Sequence, residues 1–301
     1  MNRTLIAVSA AALLNVALAL PAATAPASPA ALPVRAGDAA TWNYQSFLAA
    51  YKASERKHSV KEKDFTQARE NRQHALKNIE AFLARRFGKA DPLVMKAFSE
   101  VPREYYHYNY ERQTSHAYKA YEPKSDEVKS HVVGYGSTLS DYFIQAYMTQ
   151  IAKPRPTDVV LEIGTGSGYQ VSILSRIVKE AYSIEIIKPL GEGVARLFKP
   201  LGYHNIHTRV GDGFYGWPEV KGGFDIIIVT CVAQYVPPAL LEQLKPGGRL
   251  VIPIGQPFKK GGQFLYVYTE DAQGKVHSRK YTSVYFIPMT GVMEKKPAAG
   301  P

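Results

Sequence analysis

The chain has 301 residues, 46% of them hydrophobic, enough for one full core and one modest appendage. Its formal charge of +11 is diffuse rather than gathered into a stripe, so no nucleic-acid partner is expected. One cysteine, Cys231, excludes an intramolecular disulfide, and eight histidines with no H-x-x-x-H or Cys/His cluster predict no metal site.

At the N-terminus, Arg3 precedes a 16-residue run, Leu5 to Leu20, of Leu, Ala, Ile and Val broken only by Ser9 and Asn15. Pro21 and Ala22-Ala23-Thr24-Ala25 follow and offer an A-x-A-like cut after Ala25. That is the layout of a secretory signal peptide over residues 1–25, slightly short for a membrane span. It predicts an exported, periplasmic chain with no stable span once the leader is removed; an uncleaved anchor or an Ala-rich tail are the alternatives. Residues 26–41 are Pro/Ala-rich and read as a linker.

Residues 42–150 read as an N-terminal helical cap and substrate-side region, although the stretch 42–62 has no assignable counterpart. Phe65, Ala68, Ala75, Ile79, Phe82 and Leu83 recur largely at three- and four-residue intervals, and Gly88 can end that helix. Asp91-Pro92 is an N-cap with a first-turn proline for the next helix, which carries Leu93, Met95, Ala97 and Phe98. The segment Glu104 to Lys124 holds six tyrosines. A half-buried wall beside a substrate cleft is favoured over a nucleic-acid surface, because tyrosine offers apolar area with a polar tip.

The run Val159-Val160-Leu161-Glu162-Ile163-Gly164-Thr165-Gly166-Ser167-Gly168-Tyr169 is the most informative stretch. An apolar strand opens into three alternate glycines, and Val171, Ile173, Leu174 and Ile177 then switch to helical spacing. The loop lacks the Lys and Ser/Thr of a phosphate-gripping loop and departs from the dinucleotide fingerprint at Tyr169. A nucleoside without a phosphate chain fits best, with S-adenosylmethionine the leading candidate. Ala181 to Glu185 reads as a second strand with a carboxylate at its tip, placed to take ribose hydroxyls. A helix over Leu190 to Leu201 and a strand over Asn205 to Val210 lead to Gly211-Asp212-Gly213. Asp212 makes either a simple turn or an acceptor for an adenine amino group; its interval after the glycine loop and Glu185 favours the second.

Phe224 to Thr230 (FDIIIVT) reads as the apolar run of a central strand covered on both faces, with Asp225 and Thr230 its only polar members. A helix from Pro238 ends at Lys245-Pro246-Gly247-Gly248, and Arg249 to Pro253 is the next strand. Gln263 to Thr269 and Tyr281 to Ile287 read as a closing antiparallel pair. The predicted fold is α/β, a doubly wound seven-stranded Rossmann-like sheet over residues 151–293, with residues 294–301 as a tail. Cys231, just past a buried strand, reads as an ordinary small core residue.

These residues resemble a known family. Leu161 to Gln170, Tyr182 to Glu185, Gly211-Asp212-Gly213 with Gly216-Trp217-Pro218-Glu219, Ile227 to Thr230, Gln243 to Val251 and Phe286-Ile287-Pro288 are similar to protein-L-isoaspartate O-methyltransferases. Val101-Pro102-Arg103-Glu104 resembles the family's VPRE signature, and Gly134 to Ser140 its GxGQTIS segment. The likeness runs in order over roughly residues 65 to 290.

The resemblance implies methyl transfer from S-adenosylmethionine to the α-carboxyl of isoaspartyl residues in damaged proteins; a monomer is expected. It implies that Gly164, Thr165, Gly166, Ser167 and Gly168 line the cofactor, that Glu185 holds the ribose, and that Asp212 with Gly213 faces the adenine. Ser140 is implied as the hydroxyl of the catalytic pocket. The family's usual members are cytoplasmic, which is the alternative to export. Departures fall on the substrate side: Asp141-Tyr142 stands where a proline is usual, and Cys231-Val232-Ala233-Gln234 replaces an alanine run ending in proline. Lys119 to His131 is also longer than usual. Two other readings stay open, an exported non-catalytic paralogue acting as a binding protein and a methyltransferase with a different substrate.

Overall fold

A computed structural model describes residues 42–57, 60–121, 130–271 and 273–294. The expected leader, the linker and residues 295–301 of the tail lie outside the described residues. The helical region comprises α1 (Tyr44–Ala53), α2 (Glu62–Phe87), α3 (Pro92–Glu100) and α4 (Arg103–Tyr106), then the short strands β1 (Tyr108–Asn109) and β2 (Thr114–Ser115). The hairpin β3 (His131–Gly134) and β4 (Ser137–Leu139) follows, then α5 (Tyr142–Ala152). The remainder alternates: β5 (Val159–Ile163), α6 (Tyr169–Ser175), β6 (Glu180–Glu185), α7 (Lys188–Ala195), β7 (Ile206–Val210), β8 (Phe224–Val229) and α8 (Pro238–Glu242). It closes with β9 (Leu244–Gly255), β10 (Gln263–Glu270) and β11 (Val276–Val284).

Seven strands form one sheet in the order β11-β10-β9-β8-β5-β6-β7. β7, β6, β5, β8 and β9 run parallel, whereas β10 pairs antiparallel with both β9 and β11. From β5 the chain winds outward through β6 and β7, then returns to β8 on the other side of β5. Such a switch point leaves a crevice at the carboxyl ends of β5 and β8, where ligands bind in open α/β sheets.

Strand alternation divides the sheet's side chains between two buried clusters. Val160, Ile226, Ile228 and Val251 join the cluster that also holds Phe65, Ile79, Phe98 and Leu174. Their neighbours Leu161, Ile227, Val229 and Leu250 join the second, with Leu240 of α8. Because successive side chains point to opposite faces, a strand segment covered on both sides must be apolar throughout, as Ile226 to Val229 is; Asp225, at the half-buried start of β8, accepts from the Val159 amide and from Lys245.

Local capping matches the sequence. The Asp91 carboxylate accepts from the Leu93 and Val94 amides at the start of α3. Gly88 ends α2 at φ 82°. The unassigned stretch contains α1, started by a capping box between Asn43 and Ser46.

Four readings need correction. The helix from Pro238 ends at Glu242 rather than at Lys245 to Gly248, and the next strand opens at Leu244 rather than Arg249, because Leu244 pairs with Phe224 and the Phe224 amide donates to the Gln243 carbonyl. The last strand is β11 at Val276–Val284, not Tyr281 to Ile287, because the buried Gln263 side chain takes the backbone partners of Phe286. The helix expected to Leu201 stops at Ala195 and resumes as a 3₁₀ turn over Lys199–Leu201, where Pro200 offers no amide donor. Four of the six tyrosines are core rather than pocket wall: Tyr105, Tyr106, Tyr108 and Tyr121 are buried, and the Arg56 guanidinium lies 3.9 Å from the ring centre of Tyr105, whereas Tyr118 is exposed. Among the described residues, no helix is long and apolar enough to cross a membrane.

Candidate active site

Three adjoining cavities lie at the carboxyl ends of the parallel strands. The first, of about 400 Å³, is lined by residues including Gly164, Gly166, Glu185, Asp212, Gly213 and Cys231. The second is a space of about 30 Å³ among Ser140, Glu162, Thr165, Ser167 and Gln170. The third is a broader cleft of about 1090 Å³ bordered by Ser140, Asp141, Lys260 and Tyr285. Thr138 and Thr230 line all three and mark where they meet.

The glycine loop is shaped for close approach. At Gly164 (φ 97°) an added Cβ would lie 2.6 Å from the Thr230 hydroxyl oxygen. That hydroxyl, just past the end of β8, is within hydrogen-bonding distance of the Ile163 and Gly164 carbonyls (3.0 and 2.8 Å), which share its single proton. The Gly166 amide donates to Glu185 Oε2 at 2.8 Å, tying the loop to the tip of β6. Gly168 does not line the cavities; at φ 82° a Cβ there would sit 2.8 Å from Val194 Cγ1, so this glycine permits α6 to pack on α7.

Thr165 and Ser167 are buried supports of the loop. Thr165 Oγ1 donates to Ser183 Oγ at 2.7 Å, which in turn donates to Glu162 Oε2 at 2.5 Å. Ser167 Oγ accepts from the Tyr169 amide at 3.3 Å. Glu162 is fully buried and its carboxyl is held well above the usual carboxylate range, first by burial and then by the nearby Glu185 charge. Glu162 Oε1 and Gln170 Oε1 have no protein partner, and both residues line the small cavity. Sequence reasoning passed over this pair. The available signal was an acidic residue inside an apolar strand, the kind of buried polar group that calls for an explanation.

Both strand-tip carboxylates are already engaged by backbone. Glu185 accepts from Gly166 and, through Oε1, from Ile187 at 3.1 Å; burial raises its pKa and these bonds oppose the rise. Asp212 Oδ1 accepts from Phe214 and Oδ2 from Val292, both at 2.9 Å. The second bond fastens the segment after β11 beside the cavity. Each oxygen keeps a further lone pair for a ligand donor. Cys231 packs against the second buried cluster and also lines this cavity, and burial with the Glu185 and Asp212 charges pushes its thiol pKa far up, so it stays protonated.

Ser140 lies apart from the first cavity and borders the other two. It directly precedes Asp141, which starts α5 by accepting from the Phe143 and Ile144 amides. The Ser140 carbonyl accepts from Arg103 at 2.7 Å. Of the departures from the family pattern, Asp141 borders the cleft, whereas Tyr142 is buried 5.7 Å from the Arg103 guanidinium, measured to its ring centre. Gln234 is exposed and donates to the Met293 carbonyl at 3.3 Å.

A glycine loop at a switch point, a buried carboxylate at the next strand tip and a third acidic residue after β7, with no phosphate-gripping lysine, define the Rossmann-like methyltransferase class. The cradle suits S-adenosylmethionine: backbone freed of Cβ atoms at Gly164, acceptors at Glu185 and Asp212, and two unpartnered buried oxygens on Glu162 and Gln170. The family model described as Protein-L-isoaspartate(D-aspartate) O-methyltransferase (PCMT) matches residues 76–294. The chain belongs to that family.

Among curated relatives, protein-L-isoaspartate O-methyltransferase 1 of Nitrosospira multiformis is 49% identical over 159 residues, covering 53% of this chain and 66% of that protein. Protein-L-isoaspartate O-methyltransferase 2 of Syntrophobacter fumaroxidans is 44% identical over 208 residues, covering 68% and 79%. A solved protein-L-isoaspartate O-methyltransferase superposes with a TM-score of 0.59 at 26% identity, over 74% of this chain and 67% of that one. A Plasmodium falciparum chain in complex with S-adenosyl-L-homocysteine superposes at 0.55 and 20% identity, over 73% and 98%, a likeness of fold.

Proposed function

We propose that the chain is a protein-L-isoaspartate O-methyltransferase, transferring a methyl group from S-adenosylmethionine to the α-carboxyl of isoaspartyl residues in polypeptides. The observation that carries this reading is the junction at Thr138 and Thr230. There a glycine-lined cavity holding Glu185 and Asp212 meets a cleft bordered by Ser140, in a chain of this family.

In this reading Gly164 and Gly166 admit the cofactor backbone-close, Glu185 takes the ribose hydroxyls, and Asp212 with Gly213 faces the adenine. Thr165, Ser167 and Gly168 act by holding the loop. Glu162 and Gln170 offer acceptors for the cofactor's ammonium group. When bound, the cofactor supplies an electrophilic methyl group on sulfur. A free α-carboxyl has a pKa near 3.5, so at neutral pH the acceptor is already an anion and needs no base. What the protein adds is alignment and exclusion of water, worth roughly 7–11 kcal/mol in well-oriented reactions. The Ser140 hydroxyl donates to one carboxylate oxygen and turns the other toward the cofactor cavity.

The leader-like residues 1–25 support export to the periplasm, and the enzyme is proposed to act there as a monomer. The test uses the full chain with methyl-labelled S-adenosylmethionine and a matched peptide pair, isoaspartyl and aspartyl. Base-labile label on the isoaspartyl peptide alone supports the assignment. Label on neither peptide, with cofactor bound, would point to another acceptor. Ser140→Ala is expected to spare cofactor binding and lower turnover.

A further inference from the structure

Among the described residues, five other than glycine adopt positive φ: Glu55, Gln113, Tyr135, Lys153 and Phe258. Tyr135 (53°) and Phe258 (59°) are the aromatic ones, and both line the cavity that holds Gly164, Glu185 and Asp212. A bulky side chain in this region is a genuine outlier, since its Cβ crowds the backbone.

Each sits in a hairpin turn where a better residue was available. Tyr135 and Gly136 (φ 78°) form the two-residue turn between β3 and β4, a geometry that favours Asn-Gly. Phe258 lies in the β9–β10 turn, three residues before Gly261-Gly262. Core packing does not account for either placement, because Tyr135 is 38% and Phe258 71% exposed. Two large apolar rings are thus presented to solvent, from disfavoured backbone, at one cavity. Strain kept where it serves no packing is a mark of function.

We infer that Tyr135 and Phe258 are cofactor-contact residues, two rings carried on separate hairpin tips that cover the adenosyl group once it is bound. The inference rests on the methyltransferase reading and adds residues that the glycine loop and the strand-tip carboxylates do not predict. Aromatic rings bring large apolar area at small entropic cost, and covering the ligand keeps water from it. The β9–β10 turn also reaches the neighbouring cleft through Lys260 and Gly261, so the same turn borders both cofactor and acceptor spaces.

The test is titration calorimetry of the full chain with S-adenosyl-L-homocysteine, alongside thermal unfolding without ligand. The variants are Tyr135→Asn and Phe258→Asn, because asparagine tolerates positive φ. Stability is expected to hold, or Tm to rise by about 2 °C as strain is relieved. The ligand's Kd is expected to rise about tenfold in each variant, and further in the double variant. Opposite signs in the two readouts separate ligand contact from a structural role. The inference is overturned if Kd stays within about twofold of wild type, if Tm falls in step with affinity, or if only KM for an isoaspartyl peptide moves. A wild-type chain that binds neither S-adenosylmethionine nor its product would instead remove the methyltransferase reading, and this inference with it.

Discussion

The Arg103 guanidinium donates to the backbone carbonyl of Ser140 at 2.7 Å across 37 positions of sequence. Arg103 is buried, and it also donates to Gln145 Oε1 at 2.6 Å and to the Ala120 carbonyl at 3.2 Å. Tyr142 and Tyr169 lie beside it, with ring centres 5.7 and 5.0 Å from the guanidinium carbon. The VPRE segment thus reaches the candidate catalytic loop and the first turns of α5 through one side chain. A planar fork with five donors serves three acceptors at once, which a lysine ammonium on a flexible stem does not.

Arg103→Lys is therefore expected to lower kcat about tenfold, leaving the Kd for S-adenosyl-L-homocysteine near wild type. Stability should fall by about 2 kcal/mol for the lost charge-assisted bonds. Single-turnover kinetics, ligand titration and urea unfolding together check this. An unchanged kcat would separate Arg103 from the position of Ser140.

The glycines of the loop predict contrasting variants. An added Cβ at Gly166 (φ 53°) meets nothing nearer than Ser137 Oγ at 3.7 Å, on the cavity side. Gly166→Ala is expected to cost about 1 kcal/mol of stability and to weaken ligand binding about tenfold. At Gly168 the same atom meets Val194 Cγ1 at 2.8 Å and Phe198 Cζ at 3.0 Å. Gly168→Ala is expected to destabilise by about 2 kcal/mol or more through overpacking. Denaturant midpoints and calorimetric Kd values distinguish the two; equal stability losses would contradict the assignment of Gly168 to packing.

Which features were legible in the sequence follows from how local their causes are. The strand from Val159, the glycine loop and the Asp91 cap each depend on residues within a few positions, and each was readable. The alternation that suggested a strand over Tyr281 to Ile287 was real. It could not reveal that the Gln263 side chain, more than twenty positions away, replaces the ladder at Phe286. Tyr105, Tyr106, Tyr108 and Tyr121 are core where the sequence suggested a pocket rim, because one residue type suits a rim and a core holding buried arginines alike. Glu162 was hidden by its motif, since its partner Ser183 lies on the next strand. Arg103 with Ser140, and Tyr135 with Phe258, come together only through the tertiary fold.

Asp212 offers a test of the cavity wall. Its Oδ1 caps the short turn at Gly213–Tyr215, and its Oδ2 holds the Val292 amide. Asparagine keeps one acceptor and sets an amide group against the other backbone donor. Asp212→Asn is expected to release Val292 and weaken cofactor binding about tenfold, at a cost near 1–2 kcal/mol. Hydrogen exchange at the Val292 amide, compared with that at Phe214, reports the release directly. Protection retained at both amides would show that the latch does not depend on the charge.

The histidine stack contributes to the pH dependence of stability. His107 and His131 lie ring on ring with centres 4.5 Å apart, and His116 is edge-on to His131 at 5.1 Å. Burial, then the Arg103 charge and the neighbouring histidines, holds the His107 pKa well below its ordinary value, and burial brings His131 to about 4. Both rings are neutral in the folded chain at neutral pH, whereas the unfolded chain takes up protons near pH 6.5. Below that value the unfolded state binds more protons, so this contribution to stability is complete above about pH 6.5 and is lost as pH falls toward 4. His107→Phe fills a similar buried volume without a titratable ring. Its urea midpoint is expected to vary less than that of wild type between about pH 6.5 and 4, by about one proton's linkage. An identical pH slope in the variant would assign the acid sensitivity to other groups.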